Sequence, residues 1–371
     1  MSINKSSLRI LFVVSSLGIG GAERVVSELA NYFSDIENEV IIMLVSNNKT
    51  NYKINPKIKI IDLNSEMLNK TGLLAICERM SLIRKFTNDV NPNMVISFLS
   101  IINIYVCFSL LLSKHKLIVS ERNDPKSDPK SAFKRAVRLL AYKFADGFVF
   151  QTDTAKKYFS KRIQKKSMVI ANPVKSYLPE TFEGIRSRKI VAIGRLVEQK
   201  NYPLLIHAFN EIQKEFNDYK LYIYGEGNER SKIEELIRKL SLEEKIILKG
   251  NASNVHEEVV DASLYVLTSH YEGMPNALLE ALAMGIPSIS VDCSGGGPAE
   301  IIANGENGVL VPVGSCDDLV DAMRKILTDF EFSKKLSLNA VEGSKKYSMH
   351  NISGKWMNFI NSILEGNYMN D

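Results

Sequence analysis

The sequence predicts an α/β protein built from two domains, each a parallel sheet covered by helices on both faces. Three observations carry that expectation. Short apolar runs, among them RILFVVSS and VIIMLVS in the first half and KIVAIGRL, KLYIYGEG, KIILKG and SLYVLTS in the second, alternate with segments of helical spacing such as AERVVSELANYF and YPLLIHAFNEIQKEF. Continuous apolar strands are what a sheet buried on both faces requires. Several of these strands end in glycine, at the carboxyl end where ligands bind in such sheets. Between the halves lies KSYLPETFEGIRSRK, polar and broken by Pro179 and Gly184.

Taken in order, residues 1–172 form the first Rossmann-like domain, with further strands at Ile58 to Asp62, Met94 to Phe98, Lys116 to Ser120 and Gly147 to Gln151. The segment Met94 to Leu112 holds 19 residues without a charge, about the length that spans a bilayer. Its Ser97, Ser100, Asn103 and Ser109 favour a division into strand, turn and helix. Residues 173–186 read as a linker, and residues 187–349 as a second domain that adds strands PSISVDCS and GVLVPVG. Two α/β domains of similar size facing each other would form one deep cleft. Residues 350–371 include ISGKWMNFINSIL, whose apolar face around Trp356 needs a partner; the first domain is the candidate.

At 371 residues, 45% hydrophobic and 24% charged, the composition is that of a soluble globular protein with room for two cores. Cys77, Cys107, Cys293 and Cys316 are scattered, without C-x-x-C or a histidine cluster, so a reducing compartment and no structural zinc are expected. The N-terminus begins a strand rather than a signal sequence. Charge is unevenly spread: residues 1–175 hold 27 Lys and Arg against 14 Asp and Glu, whereas the remainder holds 20 against 28. The basic excess concentrates in Lys126 to Phe144 and Lys156 to Lys166, where Phe, Leu and Tyr stand between the charges. Such faces suit anionic lipid or a polyanionic ligand, or are simply solvated. Nucleic acid is disfavoured, since no nucleic-acid-binding motif is present and the second half is acidic.

The chemistry concentrates in HYEGMPNALLEALAMGIP. Pro275 suits the first position of a helix and Ala277 to Ala283 continue it, so Glu272 falls in the preceding loop and Glu280 on the second turn. Unpaired backbone N–H groups near Asn276 to Leu278 attract an anion. A phosphate flanked by two hydroxyl-binding carboxylates is the implied ligand, and a capped surface helix is the alternative. In GRLVEQKN, Arg195 and Lys200 follow a strand and can clamp a diphosphate. GIGGAER opens the first helix but lacks the full dinucleotide-binding spacing, and no acidic residue ends the next strand, which disfavours a nicotinamide enzyme. Of the histidines, His115, His207, His256 and His350 read as ordinary surface or core residues; only His270 lies near the expected site.

In order and spacing, GIGGAER, GRLVEQKN, EGMPNALLEALAMGIP and GGGPAEII resemble the large retaining glycosyltransferase family 4, with Glu272 and Glu280 as its two glutamates separated by seven residues. The resemblance covers essentially the whole chain. It implies the GT-B fold, with a nucleotide-sugar, expected to be a UDP-sugar, on the C-terminal domain, acceptor on the N-terminal one, and a last helix crossing back to the first domain. By position, it implies that Arg195 and Lys200 bind the donor diphosphate, Glu280 the ribose and Glu272 the transferred sugar. Backbone groups of Met274, Asn276, Ala277 and Leu278 would add to them, Gly20 and Gly21 would approach from the other domain, and Ala252 would lie by the base. Fixed cations at the leaving group make a metal dispensable, and the chain has no D-x-D string. No cofactor is expected beyond the co-substrate.

Many members carry a histidine where this chain reads VSERNDP, with Arg122 in its place. Arginine cannot act as a base. The string looks like the variant of bacterial polysaccharide-assembly transferases, which makes Glu121, Arg122, Asn123 and Asp124 acceptor-side candidates. The expectation is a retaining, metal-independent transferase acting on a polyprenyl-diphosphate-linked or oligosaccharide acceptor in cell-surface polysaccharide biosynthesis. It would work on the cytoplasmic membrane face, docked on anionic lipid by Lys126, Lys130, Lys134, Arg135 and Arg138. The alternatives are a nucleotide-sugar epimerase or hydrolase of the same fold and a non-catalytic nucleotide-sugar-binding protein.

Overall fold

The computed structural model describes residues 7–18, 20–47, 50–67 and 71–367. Contacts divide the chain into two compact units, Met1–Pro173 with Met349–Asp371, and Val174–Ser348.

In the first unit β1 (Arg9–Val14) leads into α1 (Gly21–Asp35), followed by β2 (Glu39–Leu44), β3 (Lys59–Asp62), α2 (Gly72–Val90), β4 (Met94–Phe98), α3 (Ser100–Ser109) and β5 (Lys116–Ser120). Then come α4 (Ala132–Ala141), β6 (Gly147–Phe150), α5 (Asp153–Tyr158), α6 (Lys161–Gln164) and β7 (Ser167–Val169). The strands form one sheet in the order β3-β2-β1-β4-β5-β6-β7, every neighbouring pair parallel, with Ile10 opposite both Val40 and Met94. β7 escapes the sequence pattern because it is a three-residue edge strand that is only half-buried. The uncharged run Met94 to Leu112 is β4 and α3, and among the described residues no helix is long and apolar enough to cross a membrane.

The second unit repeats the plan: β8 (Ser187–Ile193), α7 (Tyr202–Glu215), β9 (Lys220–Tyr224), α8 (Arg230–Lys239), β10 (Ile246–Gly250), α9 (Val255–Val259) and β11 (Ala262–Leu267). It continues with α10 (Asn276–Ala283), β12 (Ser288–Val291), α11 (Gly297–Ile301), β13 (Val309–Val311), α12 (Cys316–Thr328) and α13 (Phe330–Ser344). Its parallel sheet runs β10-β9-β8-β11-β12-β13. Residues 174–186 group with this unit: the Val174 N–H donates to the Tyr347 carbonyl at 2.8 Å, and the Arg186 guanidinium donates to the carbonyls of Val260 and Ala262 at 3.0 and 3.1 Å.

In each sheet the strand order reverses once, between β1 and β4 and between β8 and β11. At such a point neighbouring loops leave in opposite directions and open a crevice at the carboxyl ends.

The last helix, α14 (Met349–Leu364), belongs to the first unit. Side chains alternate across the sheet, so Leu11, Val13, Val95 and Val119 pack with Ile83 of α2 and Val106 of α3 in one cluster. Phe12 faces the other way, stacked with Phe33 of α1 at 6.2 Å and tilted on Phe98 at 6.1 Å; Phe98 stacks on Trp356 of α14 at 5.8 Å. Trp356 is fully buried. Replacing Trp356 with Ala is expected to cost about 3–5 kcal/mol, the usual price of removing a buried aromatic side chain. Urea unfolding followed by circular dichroism measures it.

Candidate active site

Three loops of the second unit converge at the reversal of its sheet. The first follows β8 and carries Gly194, Arg195 and Lys200. It fits because β9 ends in glycines: a Cβ on Gly225, whose φ is +137°, would lie 2.0 Å from the Gly194 carbonyl oxygen, and one on Gly227 would lie 2.1 Å from that of Leu196. The Tyr202 hydroxyl donates to the Gly194 carbonyl at 2.8 Å, and a turn over Glu198–Lys200 then brings Lys200 back toward β11.

The second loop follows β11. The Thr268 hydroxyl donates to the Lys200 carbonyl at 3.0 Å, the His270 N–H to the Gln199 carbonyl at 2.8 Å, and the Gln199 amide returns a bond to the Tyr271 carbonyl at 2.8 Å. These crossed bonds fix Lys200 against Glu272, Nζ to Oε1 at 2.5 Å, with the Ser269 hydroxyl on the same oxygen at 2.7 Å. Glu272 is buried, and among the described residues no hydrogen bond engages its Oε2. Its carboxylate therefore keeps an acceptor atom for a hydroxyl. Arg195 is exposed, and no described side chain pairs with its guanidinium.

The third element is α10. It begins at Asn276, one residue later than expected, with Pro275 extended as its cap and no side chain capping it. The Leu279 N–H reaches the Pro275 carbonyl at 3.1 Å, which leaves the N–H groups of Ala277 and Leu278 without a partner among the described residues. Met274 is buried in the approach to this helix start. The loop before it is braced by α11: Gly295 and Gly296 have φ of +93° and +74°, and a Cβ on Gly297 would lie 1.6 Å from the Gly273 carbonyl oxygen. Only glycine permits that approach.

Glu280, on the second turn of α10, is met by His256 of α9, Nε2 to Oε2 at 2.7 Å, while the His256 Nδ1 stands 3.5 Å from the Lys175 Nζ. This corrects the sequence reading, in which His256 is an ordinary residue and only His270 lies near the site. Nothing in the spacing shows the pair, because Glu280 and His256 meet through the crossing of α9 between two strands. Ala252 lies in the loop between β10 and α9, on the way to His256.

In the first unit Gly20 caps α1 without a side-chain bond, Gly21 opens the helix and is exposed, and the Tyr52 hydroxyl donates to the Gly20 carbonyl at 3.0 Å. Ile19, within the GIGG string, lies outside the described residues. Of the four acceptor-side candidates, two are turned inward. Glu121 is buried, accepting from the Ser100 hydroxyl at 2.7 Å, from Arg138 Nη1 at 3.3 Å and from the Tyr142 hydroxyl. Burial raises its pKa, and Arg138 opposes that rise. Asp124 is likewise buried and holds its own turn, accepting from the Lys126 N–H at 3.0 Å and the Ser127 hydroxyl at 2.7 Å. Arg138 is thereby lost to the expected lipid-docking set: it is fully buried, because it answers the charge of Glu121.

Arg122 and Asn123 remain half-buried. The Arg122 guanidinium lies over the rings of Phe98 and Trp356, at 4.6 and 5.5 Å, and donates to Asn172 Oδ1 at 2.9 Å; its Nε and Nη2 are buried without a partner among the described residues. Burial brings its pKa down to about 9, so it stays charged at neutral pH.

The family model described as "Glycosyl transferases group 1" matches residues 181–342, nearly the whole of the second unit. The chain is 27% identical over 365 residues to the GalNAc-alpha-(1->4)-GalNAc-alpha-(1->3)-diNAcBac-PP-undecaprenol alpha-1,4-N-acetyl-D-galactosaminyltransferase of Campylobacter jejuni, covering 96% of this chain and 99% of the relative. The second unit thus matches the group 1 glycosyltransferase model, and the whole chain is similar to a bacterial glycosyltransferase. It is also 25% identical to the amylovoran biosynthesis glycosyltransferase AmsD of Erwinia amylovora, over 92% of this chain and 96% of the relative. Among solved structures, Anabaena HepE in complex with UDP and glucose superposes with a TM-score of 0.80 at 15% identity, covering 96% of this chain and all of that one. The fold of this glycosyltransferase is accordingly GT-B, two Rossmann-like domains.

Among the described residues of the glycosyltransferase no three His, Cys, Asp or Glu side chains group to hold a metal ion. Burial pushes the Cys293 thiol, in the loop after β12, up to about 12, which leaves it an unreactive filler. The backbone contact between α11 and the second loop gives a direct test: Gly297→Ala is expected to destabilise the enzyme by about 1–3 kcal/mol through overpacking against backbone. Urea unfolding checks the figure, and an unchanged midpoint would deny the close approach.

Proposed function

We propose that this glycosyltransferase moves a sugar, with retention, from a UDP-sugar to a lipid-linked or oligosaccharide acceptor in cell-surface polysaccharide assembly, at the cytoplasmic face of the membrane. The observation that carries the reading is the arrangement at the sheet reversal of the second unit. Two cations and two unpaired helix amides adjoin two buried carboxylates. Cations and amides suit a diphosphate, and carboxylates suit the hydroxyls of a sugar and a ribose. The undecaprenol-linked substrate in the name of the Campylobacter relative supports the acceptor class, and UDP in the HepE structure supports the donor.

Breaking the bond between the anomeric carbon and the phosphate leaves negative charge on the diphosphate. Arg195, Lys200 and the N–H groups of Ala277 and Leu278 meet that charge, and being held in place they need no reorganisation as it develops. Lys200 is shared: it orients Glu272 through Oε1 while its remaining N–H bonds point to the phosphate, and Glu272 Oε2 takes a sugar hydroxyl. Glu280, steadied by His256, holds the ribose. With fixed cations at the leaving group the chemistry proceeds without a metal. In a front-face reaction the departing oxygen takes the acceptor's proton, so Arg122 is not asked to act as a base.

Arg195→Ala is expected to lower turnover about a hundredfold or more. It is the clean variant, since an exposed arginine without a protein partner can be removed without cost to the fold; Lys200→Ala should do the same with some loss of stability. A panel of UDP-sugars with a polyprenyl-diphosphate-linked acceptor, product anomers being read by NMR, tests transfer and retention together. Near wild-type activity in both variants removes the diphosphate assignment, and activity lost in EDTA and restored by manganese removes the metal-free mechanism. His256→Ala is expected to weaken UDP binding about tenfold, the scale of one hydrogen bond to a charged group, with partial recovery in His256→Gln. Titration calorimetry reads both.

A further inference from the structure

Helix α4 faces the wrong way for an ordinary amphipathic helix. Arg138 and Ala141 point inward, whereas Phe133 is 76%, Leu140 49% and Leu139 43% exposed, and Phe144 just beyond the helix is 41% exposed. The burial of Arg138 against Glu121 fixes this orientation, so the apolar side has no escape inward. Beside it a groove of about 500 Å³ opens between the end of α4 and the α5–α6 segment. Tyr142, Phe148, Tyr158 and Ile163 line it together with Ser160, and Lys143, Arg162 and Lys166 are its charged lining residues. Among the described residues no carboxylate lines it. A largely apolar groove whose charged lining is all cationic is complementary to an amphiphile with an anionic head and a hydrocarbon tail, and to neither a neutral glycan nor a free anion.

We propose that this groove binds an anionic phospholipid of the membrane, one acyl chain entering between Leu139, Phe148 and Tyr158, the phosphate resting on Lys143 and Arg162. Phe133, Leu140 and Phe144 enter the headgroup boundary, and Lys130 and Lys134, exposed at the start of α4, add attraction. The site extends the membrane-face location proposed above and replaces the docking set read from sequence, in which Arg138 counted as a surface charge.

The test uses the full chain, sedimented with vesicles of phosphatidylcholine alone or with phosphatidylglycerol, without any acceptor. The wild type is expected to pellet with the anionic vesicles. Lys143→Gln with Arg162→Gln should reduce that partition about fivefold for each residue removed, and Leu139→Glu with Phe144→Glu should abolish it. Both variants should keep the wild-type melting temperature and transfer to a short soluble acceptor, while losing transfer to a vesicle-borne one. Unchanged pelleting in both variants overturns the proposal, as does release of the wild type by inorganic phosphate, which would mark a free-anion site. Equal loss with the two acceptors also overturns it, by assigning these residues to the fold. Should the wild type bind anionic vesicles yet transfer no sugar to either acceptor, the lipid site stands and the transferase reading falls.

Discussion

The ion pair of Lys200 with Glu272 is the constraint around which the second unit is arranged. Its members are largely buried, with 16% and 10% of their side chains exposed, and charges withdrawn from water to that degree are costly unless held in good geometry with further hydrogen bonds. The surrounding chain supplies them. Ser269 adds a bond to the same carboxylate oxygen, and the Thr268 hydroxyl, the Gln199 side-chain amide and the His270 N–H tie the two loops together through backbone carbonyls. That lattice is possible only because Gly225, Gly227 and Gly297 let backbone pass within reach of backbone. Glycines distant in sequence from the pair thus serve it, and the pair in turn fixes the start of α10.

The first unit solves a different electrostatic problem. Glu121 and Arg122 are consecutive, so an extended chain sends them to opposite sides. Glu121 enters the layer of α3 and α4 and requires Arg138 there; satisfying that one buried carboxylate rotates α4 so that its phenylalanine and leucines face outward. The exposed apolar face is a consequence of an internal charge pair, not of poor packing. Residues 1–175, which include that face, carry an excess of 13 positive charges, and net positive charge together with exposed apolar side chains favours an anionic interface over self-association.

Much of this was legible in the sequence, for a physical reason. Parallel strands buried on both faces are uninterrupted apolar runs, and the loops that matter follow them directly, so Arg195, Lys200, Glu272 and Glu280 could be placed by counting from strand ends. The order reversal that gathers them follows from the fold class. What local pattern could not supply is which way a side chain faces when its partner lies far along the chain. His256 meets Glu280 across 24 positions, and Arg138 meets Glu121 across 17. Helical spacing groups Phe133, Val137, Leu140 and Ala141 without deciding between surface and sheet; the structure splits them, with Ala141 buried, Val137 packed on the core and Phe133 and Leu140 exposed, because Arg138 takes the inward position. β7 was missed because three half-buried residues carry no period.

Arg122 of VSERNDP and Arg138 of α4 show how far such reasoning extends once partners are known. Arg138 is neutralised by a carboxylate, whereas among the described residues Arg122 has none: its neighbours are two aromatic faces and one amide oxygen, and two of its donor nitrogens are buried without a described partner. A guanidinium tolerates this better than an ammonium would, being weakly hydrated and able to stack. One of the two rings belongs to Trp356, near the end of the chain. The C-terminal helix is therefore part of the Arg122 environment as well as a cover for the sheet. Without the indole, the cation would lose half of the π-surface that compensates its burial and would be free to turn toward water, so the identity of a residue on α14 sets the charge presented at the carboxyl end of β5.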